Sequence, residues 1–476
     1  MPDPGTVREA ILEAPLETSN FGEEPQPGTL YVPPAHIRTL RLESNLVVGA
    51  RGVGKSFWTA ALASRTLRDH LGMVLPELDR TEVGLGFSSR QFVDHYPDEE
   101  GFSRMIGSGT EPADIWRAVV FRWIDDTSGK RRLPRKSWTD TVGWIKKNWE
   151  EASRLIEEAQ ADFDAEGRHG LILFDALDRT SKDWQTMDTI VRGLLRTVLG
   201  LKSFPNIHAK VFLRDDQFER TVTDFPDASK LLATKTEIAW ARHDLHGLLW
   251  QRLVNAPDKH GTVLRDFYQQ TTGKNPDEKD GIFEIAPEVK REEELQRKLF
   301  GSLAGPWMGR DPRRGAPYTW VVGHLSDGRG QTSPRSFLSA IWHAADDSRS
   351  RYGSHPLPLH YESLKRGIQQ ASKIRVDEMA EDYPWVRTVL ERLGGLNVPC
   401  DYDQIRVRWS ECFPEGPAEI QTSRLPAQQA GRGWDGIRDD LKRLGVLEIK
   451  RDGRIDMPDI YRVGFGLGRK GGVRPK

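Results

Sequence analysis

Cysteine is scarce in this chain of 476 residues, which contains only Cys400 and Cys412. One pair of cysteines cannot staple a fold of this size, and neither residue lies at a metal-ligand spacing. The histidines, including His243 and His246, also show no set of three at such a spacing, so we interpret them as core or surface residues. These absences argue against a disulfide scaffold and predict a reduced, cytoplasmic compartment.

Long apolar runs and an excess of charge are absent as well. No run approaches the roughly 18 residues needed to cross a bilayer, and the acidic, Pro-rich residues 1–28 lack the basic and apolar regions of a signal peptide. The formal net charge is -1, so no global charge favours nucleic acid or a membrane. We expect no export and no membrane partner.

The length exceeds what a single hydrophobic core supports, so we expect several domains. Pro15, Pro25, Pro27, Pro33 and Pro34 interrupt every helical pattern near the N-terminus, which predicts an extended arm. The predicted segments are an N-terminal extended arm (1–40), a P-loop core (41–243), a helical lid (244–350), a connector (351–376) and a winged helix (377–476).

The predicted core alternates short apolar runs with helical patterns. "NLVVGA" precedes a helix from Lys55, "TEVGLGFS" precedes "DIWRAVVFRWI", "HGLILFDALDRT" precedes "TMDTIVRGLLRTVLGL", and "NIHAKVFLRDD" precedes "KTEIAW". Near-continuous apolar strands that alternate with helices predict a parallel sheet covered on both faces. The predicted fold class is therefore α/β.

Residues 49–56, "GARGVGKS", match the phosphate-loop pattern G-x-x-x-x-G-K-[ST] between an apolar strand and a helix. Glycines permit turns that aim N–H groups at phosphates, and the helix N-terminus reinforces the anion site. Lys55 would reach the β- and γ-phosphates, and Ser56 would ligate Mg²⁺. The alternative is a chance match, which this strand and helix context makes rarer. The predicted nucleotide-binding residues are Gly49, Ala50, Arg51, Gly52, Val53, Gly54, Lys55 and Ser56.

The strand "LILF" ends in Asp175 and is followed by Asp178. A buried strand delivers a carboxylate to the carboxyl edge of the sheet, so we predict that Asp175 ligates Mg²⁺ directly or through water. Asp178 is a candidate for polarising the attacking water. The alternative makes Asp178 a helix cap or a partner of Arg179.

The order of these motifs separates classes of nucleotide enzymes. A GTPase would need D-x-x-G where this chain has "DALD", and small-molecule kinases are usually shorter. The strand "TEVGLGFS" intervenes between the loop strand and the Asp175 strand, an order that places a catalytic acid next to the phosphates. The motifs together resemble those of P-loop ATPases of the AAA+/STAND-like (ASCE) group, of the bacterial regulatory or conflict type.

The resemblance implies two sensor arginines. Arg214, at the end of "KVFLR", matches the position that senses the γ-phosphate, although it is equally placed to pair with Asp215 or Asp178. Arg335, beside Pro334, matches the lid arginine that reaches back to the nucleotide, with an ordinary helix start as the alternative. The loop "GRDPRRGAPY" offers arginines for an adjacent subunit, and a solvated loop is the alternative for each.

A winged helix is predicted at the C-terminus, with a two-residue hairpin turn at Asp452-Gly453. Twelve basic residues against seven acidic ones from Arg432 onwards favour DNA contact, whereas the acids on the predicted recognition helix favour a protein partner or self-packing. The cluster "GKRRLPRKSW" near residue 130 leaves the same choice between phosphate binding and a solvated loop.

These patterns predict an ATP- and Mg²⁺-dependent ATPase switch. The resemblance implies nucleotide-dependent homo-oligomerisation, an effector or regulatory protein partner and a setting such as anti-phage defence. The alternatives are a DNA-binding regulator that uses ATP for assembly, and a nucleotide-locked scaffold, which the lack of Glu after Asp175 favours.

Overall fold

The computed structural model describes residues 1–17, 24–219, 221–422 and 424–475. The chain divides into two compact units. We call residues 20–27 and 32–239 the sheet unit, and residues 1–19, 28–31 and 240–476 the helical unit.

The strands are β1 (Leu46–Gly49), β2 (Thr81–Phe87), β3 (His169–Phe174), β4 (Ile207–Arg214), β5 (Lys235–Glu237), β6 (Asp277–Lys279), β7 (Ile282–Glu284), β8 (Glu448–Ile449) and β9 (Ile455–Asp456). The helices up to the end of the sheet unit are α1 (Pro4–Glu13), α2 (Pro34–Leu40), α3 (Lys55–Ala63), α4 (Arg65–Leu71), α5 (Glu99–Gly107), α6 (Pro112–Thr127), α7 (Trp138–Lys147), α8 (Trp149–Ala165), α9 (Trp184–Leu201), α10 (Asp215–Phe218) and α11 (Ser229–Leu232). Those that follow are α12 (Arg242–Val254), α13 (Asp258–Thr272), α14 (Pro287–Arg291), α15 (Glu293–Ala304), α16 (Pro317–Leu325), α17 (Pro334–Arg351), α18 (Tyr361–Asp382), α19 (Pro384–Glu391), α20 (Tyr402–Cys412), α21 (Gly433–Arg443) and α22 (Asp459–Arg462).

The sheet unit is built on a five-stranded sheet in the order β2-β3-β4-β1-β5, in which every neighbouring pair is parallel. Residues Leu171–Phe174 of β3 are all fully buried, and successive side chains of a strand point to opposite faces. Both faces of the sheet are therefore covered, which confirms the predicted α/β fold.

The sequence order of the strands differs from their order in the sheet. The strand β2, which "TEVGLGFS" forms, pairs with β3 and lies at one edge of the five-stranded sheet. The strand that separates β1 from β3 is β4, which follows β3 in the chain. We expected "TEVGLGFS" to be the strand between β1 and β3 that places the acid next to the phosphates. That choice of strand was wrong, because β4 holds this position.

The N-terminal segment is not extended throughout, because it contains α1 and α2. Asp3 caps α1 by accepting a hydrogen bond from the Thr6 N–H, and Pro4 occupies the first turn, where its missing N–H costs nothing. Val7, Ala10 and Ile11 are fully buried. This apolar face packs α1 against α13 and α17, so the predicted extended arm is wrong over residues 4–13.

The helical unit pairs α17 with α18, and α18 also contacts α19 and α22. Because α18 is one uninterrupted helix of 22 residues, it runs across the predicted boundary at 376/377. Helices α19, α20 and α21 are followed by the antiparallel pair β8 and β9, which confirms the predicted winged helix.

The hairpin turn of the wing is longer than predicted. The Lys450 N–H donates to the Arg454 carbonyl, and the Gly453 N–H donates to the Lys450 carbonyl. Three residues, 451–453, therefore connect the strands, and Gly453 has φ of 84°. A turn of this kind, closed by a residue with positive φ, is a common three-residue hairpin, and glycine adopts that conformation without strain.

Within the described ranges, no helix combines the length and the apolar character that crossing a membrane requires.

A buried histidine predicts acid sensitivity of the helical unit. The His246 ring stacks on Tyr318 with centroids 4.1 Å apart, and its Nε2 lies 3.0 Å from the Tyr318 carbonyl oxygen. Burial, only partly opposed by that carbonyl, lowers the pKa of His246 to about 3. The unfolded chain takes up a proton near pH 6.5 that the folded chain excludes, so stability is lost as pH falls below 6.5.

We therefore expect His246→Gln to bind about one proton fewer on unfolding between pH 6.5 and 4 than the wild type. Urea unfolding at pH 7, 6 and 5 measures this slope, and the exposed His95 supplies a matched control, His95→Gln. If His246→Gln leaves the pH dependence of the unfolding free energy unchanged, His246 is not the source of the acid sensitivity.

Candidate functional site

The loop 49–56 connects β1 to α3 and requires glycine at several positions. Gly52 and Gly54 have φ of 77° and 104°, in the region that side chains disfavour. A Cβ at Gly49 would lie 2.9 Å from Val53 Cγ2 and 3.2 Å from the Ile238 carbonyl oxygen. The loop therefore turns back on the sheet in a path that larger residues would strain, and it ends at the N-terminus of α3.

The Lys55 ammonium lies inside this loop. Its Nζ donates to the carbonyl oxygens of Gly49 and Ala50, at 2.7 and 2.8 Å. Burial, reinforced by the nearby Arg214 guanidinium, lowers the pKa of Lys55 to about 8, although the surrounding carboxylates oppose this shift. Lys55 is thus a cation held close to a second cation, and a bound anion would offset the repulsion between the two.

Asp175 follows the last residue of β3 and is 3% exposed. The Ser56 hydroxyl, the Ala176 N–H and the Lys55 ammonium lie near its carboxylate, and each favours the charged form. Burial nevertheless raises the pKa of Asp175. A hydroxyl and a carboxylate side by side are oxygen ligands that suit Mg²⁺, and a cation would offset the cost of burying the carboxylate. The donor set therefore fits a magnesium ion.

The backbone is strained immediately after Asp175. Ala176 has φ of 56°, a left-handed conformation that is uncommon for a residue with a side chain. The chain then makes a single 3₁₀ turn, Leu177–Arg179, which carries Asp178. Such strain persists only where the surroundings hold it, and it is concentrated at functional sites.

Arg214 is the last residue of β4 and pairs in register with Gly49 of β1. Its Nη1 lies 3.4 Å from Asp178 Oδ2, and its Nε lies 3.3 Å from Asp216 Oδ1. The guanidinium is 12% exposed, so both contacts are largely shielded from water. The sequence left open whether Arg214 senses the γ-phosphate or pairs with Asp215 or Asp178. Here it contacts Asp178 and Asp216, and its role as a sensor stays a prediction.

Five of the predicted residues meet at one edge of the sheet: Lys55, Ser56, Asp175, Asp178 and Arg214. They stand at or just beyond the carboxyl ends of β1, β3 and β4, three adjacent strands. This edge is where α/β sheets bind ligands.

Arg335 belongs to the helical unit. It lies in the first turn of α17, where Ser333 caps the helix and Pro334 occupies its first position. Its Nη1 donates to Glu378 Oε1 at 2.6 Å. The role of Arg335 as a lid sensor stays a prediction.

Two residues of these arrangements escaped the sequence interpretation. Asp216 fixes the Arg214 guanidinium, and the run "RDD" at a strand end was the available signal. Glu378 lies in the C-terminal part of α18, 43 positions from its partner Arg335, and no local pattern in the sequence distinguishes it from the other acidic residues of that helix.

The basic cluster at 129–138 is tied to its own unit. Lys130 and Arg132 both contact Glu158 of α8, at 2.7 and 2.6 Å, and Arg135 lies 2.8 Å from Asp126. Phosphates would have to displace these carboxylates, so the ion pairs favour the alternative of a surface loop over phosphate binding.

The predicted recognition helix α21 shows the same pattern. Arg438 lies 3.0 Å from Asp435 and 2.9 Å from Asp439, and Arg443 lies 3.1 Å from the buried Asp440. DNA phosphates would have to compete with these carboxylates.

The arginines of the loop 310–314 are arranged differently. Arg310, Arg313 and Arg314 are exposed, and the described part of the chain shows no ion pair for any of them. Their proposed use by an adjacent subunit stays a prediction.

No protein-family model and no curated protein matches this chain. Among solved structures, it is similar to that of the Aeropyrum pernix ORC2 protein in ADPNP and ADP complexes. The two sequences are 12% identical, and the similarity covers 93% of this chain and 95% of that one with a TM-score of 0.41.

Proposed function

We propose that this chain is an ATPase that binds ATP with Mg²⁺ and uses the nucleotide as a conformational switch. The observation that carries the proposal is the Ser56 hydroxyl beside the buried Asp175 carboxylate, with the Lys55 ammonium nearby. A phosphate loop alone would support only anion binding. A loop with a magnesium-type ligand pair supports binding of a nucleotide with its metal.

Each residue has a distinct part in this proposal. The N–H groups of the loop and Lys55 hold the phosphates, and Ser56 and Asp175 hold the metal ion. A bound Mg²⁺ neutralises charge that develops on the transferred phosphoryl group. Asp178 orients the attacking water, which requires its carboxylate to loosen from Arg214, and Arg214 then becomes available to the γ-phosphate.

The AAA+/STAND-like assignment, with oligomerisation on nucleotide binding and a protein effector, rests on the motifs and their resemblance. We propose that Arg335 acts as the lid sensor and that the winged helix passes on the nucleotide state. A role in anti-phage defence is proposed on the same basis. The ion pairs of α21 favour a protein contact for the winged helix over DNA.

A nucleotide-locked scaffold is the second candidate function. Ala176 stands where a catalytic acid would directly follow Asp175, and Asp178 is engaged by Arg214. A chain that binds ATP tightly and releases the Asp178 carboxylate rarely would hydrolyse slowly.

Turnover separates these functions. We expect Asp178→Asn to reduce ATP hydrolysis by roughly 10²-fold or more, since general-base catalysis contributes about that factor, while ATP affinity stays near that of the wild type. Steady-state phosphate release measures this change. Asp183 is exposed and caps α9, so Asp183→Asn serves as the matched control. Unchanged turnover in Asp178→Asn would remove its catalytic role, and negligible turnover in the wild type would favour the scaffold.

The same preparation tests the partners. Turnover is measured with and without duplex DNA, and mass is followed by light scattering with and without ATP. An ATP-dependent increase in mass supports the oligomerising switch, whereas a constant monomer mass contradicts it. Strong stimulation by DNA would favour the DNA-binding regulator.

A further inference from the structure

Two carboxylates contact the Arg214 guanidinium from different segments of the sheet unit. Asp216, two positions after Arg214, lies 3.3 Å from its Nε, and Asp178 lies 3.4 Å from its Nη1. A guanidinium presents these donors in a fixed planar fork, so each carboxylate holds a different nitrogen of the same rigid group. One contact can therefore be exchanged while the other persists.

The contact with Asp216 is the better fixed of the two. The Asp216 side chain is 9% exposed, and it belongs to α10, which begins directly after β4. The turn from β4 into α10 is closed by the Arg214 N–H, which donates to Gln217 Oε1 at 3.1 Å. Gln217 is itself buried, and its Nε2 lies 3.4 Å from the sulfur of Met187 in α9. Buried contacts therefore hold the junction that carries Asp216.

The contact with Asp178 is easier to exchange. The Asp178 side chain is 23% exposed, against 9% for Asp216, so water screens its attraction to Arg214 more strongly. Asp178 also lies on the short 3₁₀ turn that follows the left-handed residue Ala176. An anion that approaches Arg214 is therefore expected to displace Asp178 before Asp216.

The position of Arg214 indicates which anion would compete. Arg214 pairs in register with Gly49, the first residue of the phosphate loop, and adjacent strands of a sheet lie about 4.8 Å apart. The Arg214 charge also contributes to the lowered pKa of the Lys55 ammonium inside that loop. All three residues belong to the sheet unit. A phosphate group held by Lys55 would therefore lie close to Arg214.

We propose that Asp216 is a positioning residue for ATP hydrolysis, which holds the Arg214 guanidinium through Nε while Nη1 exchanges Asp178 for a phosphate oxygen. The inference rests on the proposed function, because it requires that the loop 49–56 binds ATP. The exchange releases the Asp178 carboxylate for the attacking water. The contact with Asp216 keeps the guanidinium aimed at the phosphate, so Asp216 acts only through Arg214.

Loss of Asp216 is expected to affect kcat more than KM. Removal of its charge strengthens the attraction of Arg214 for Asp178 and for a phosphate alike, so the effect on the exchange largely cancels. The remaining effect is on the orientation of the guanidinium, which matters when charge develops on the phosphoryl group. We expect Asp216→Ala to lower kcat about tenfold or more, with KM within about threefold of the wild type.

Two further variants separate positioning from a merely structural role. Asp216→Asn keeps an oxygen that accepts from Nε, so we expect it to retain a kcat between those of the wild type and Asp216→Ala. Arg214→Ala is expected to lower kcat by itself. In the Arg214→Ala background, Asp216→Ala should change kcat less than about twofold, because Asp216 then has no guanidinium to hold.

Steady-state phosphate release from the full-length chain measures kcat and KM, and thermal unfolding checks that each variant is folded. The matched control is Asp224→Ala, since Asp224 lies in the same unit and is exposed. We expect this variant to keep the wild-type kcat and KM.

If the wild type hydrolyses ATP but Asp216→Ala behaves like Asp224→Ala, the inference is overturned and the proposed function stands. The same holds if Asp216→Ala lowers kcat equally with and without Arg214. If the wild type does not hydrolyse ATP, the proposed ATPase function fails and the inference fails with it.

Discussion

Lys55→Ala is expected to weaken ATP binding by roughly 10²- to 10⁴-fold. In the proposed complex the ammonium donates two hydrogen bonds to phosphate oxygens, each contributing about 1.5–3 kcal/mol, and the variant loses both. The ammonium already donates to two carbonyl oxygens of the loop, and burial and Arg214 lower its pKa to about 8. An incoming phosphate would stabilise the charged form. Titration with a fluorescent ATP analogue measures the change in affinity.

The lowered pKa also gives this prediction a pH dependence. Above pH 8 the ammonium loses its proton in the free protein, so ATP binding must restore that proton, and affinity is expected to fall as pH rises from 8 to 10. Lys55→Ala should lack this component.

The control for Lys55→Ala is Lys182→Ala, at a side chain that is 73% exposed. Thermal unfolding of both variants and the wild type checks that each protein is folded at the temperature of the titration. Retention of wild-type affinity by Lys55→Ala would contradict its assignment.

Lys210→Met is expected to destabilise the protein by about 3–5 kcal/mol, because three buried carbonyl oxygens lose their donor. Lys210 lies in β4 and is fully buried, and its Nζ donates to the carbonyls of Thr39, Arg41 and Ser44 at 2.7, 2.9 and 2.7 Å. Burial lowers the pKa of Lys210 to about 7, and these acceptors favour the charged ammonium. Urea unfolding measures the free energy.

This lysine also bears on the phosphate loop. The three carbonyls belong to the last turn of α2 and to the segment that joins it to β1, and β1 ends at Gly49. Lys202→Met is the control, since Lys202 is exposed and bonds to Asn45 and to the Lys230 carbonyl, both at 3.2 Å. We expect it to cost less than about 1 kcal/mol. Equal effects of the two substitutions would contradict a special role for Lys210.

The parallel sheet and the winged helix were predictable because their signals are local. Apolar runs such as "LILF" identify buried strands, and helices followed by a hairpin identify the wing. The helix α1 was missed because the prolines at 15 and beyond were taken to break every pattern, whereas Pro4 starts a helix. The order of strands in a sheet depends on long-range packing, so the sequence order misplaced β2.

For the candidate site as well, local patterns predicted some of the contacts and could not predict others. The proximity of Lys55, Ser56 and Asp175 follows from strand ends that meet at one edge, and the motif specifies these residue types. The partner of Arg214 was open because several carboxylates lie within its reach. The contact of Glu378 with Arg335 depends on how α17 packs on α18, which no short pattern encodes.

Calorimetric titration of the wild-type chain with ATP in the presence of Mg²⁺ tests the central claim most directly. The account predicts saturable binding of about one nucleotide per chain at the loop 49–56, weakened when Mg²⁺ is chelated. Absence of saturable binding up to millimolar ATP by a folded protein would contradict it.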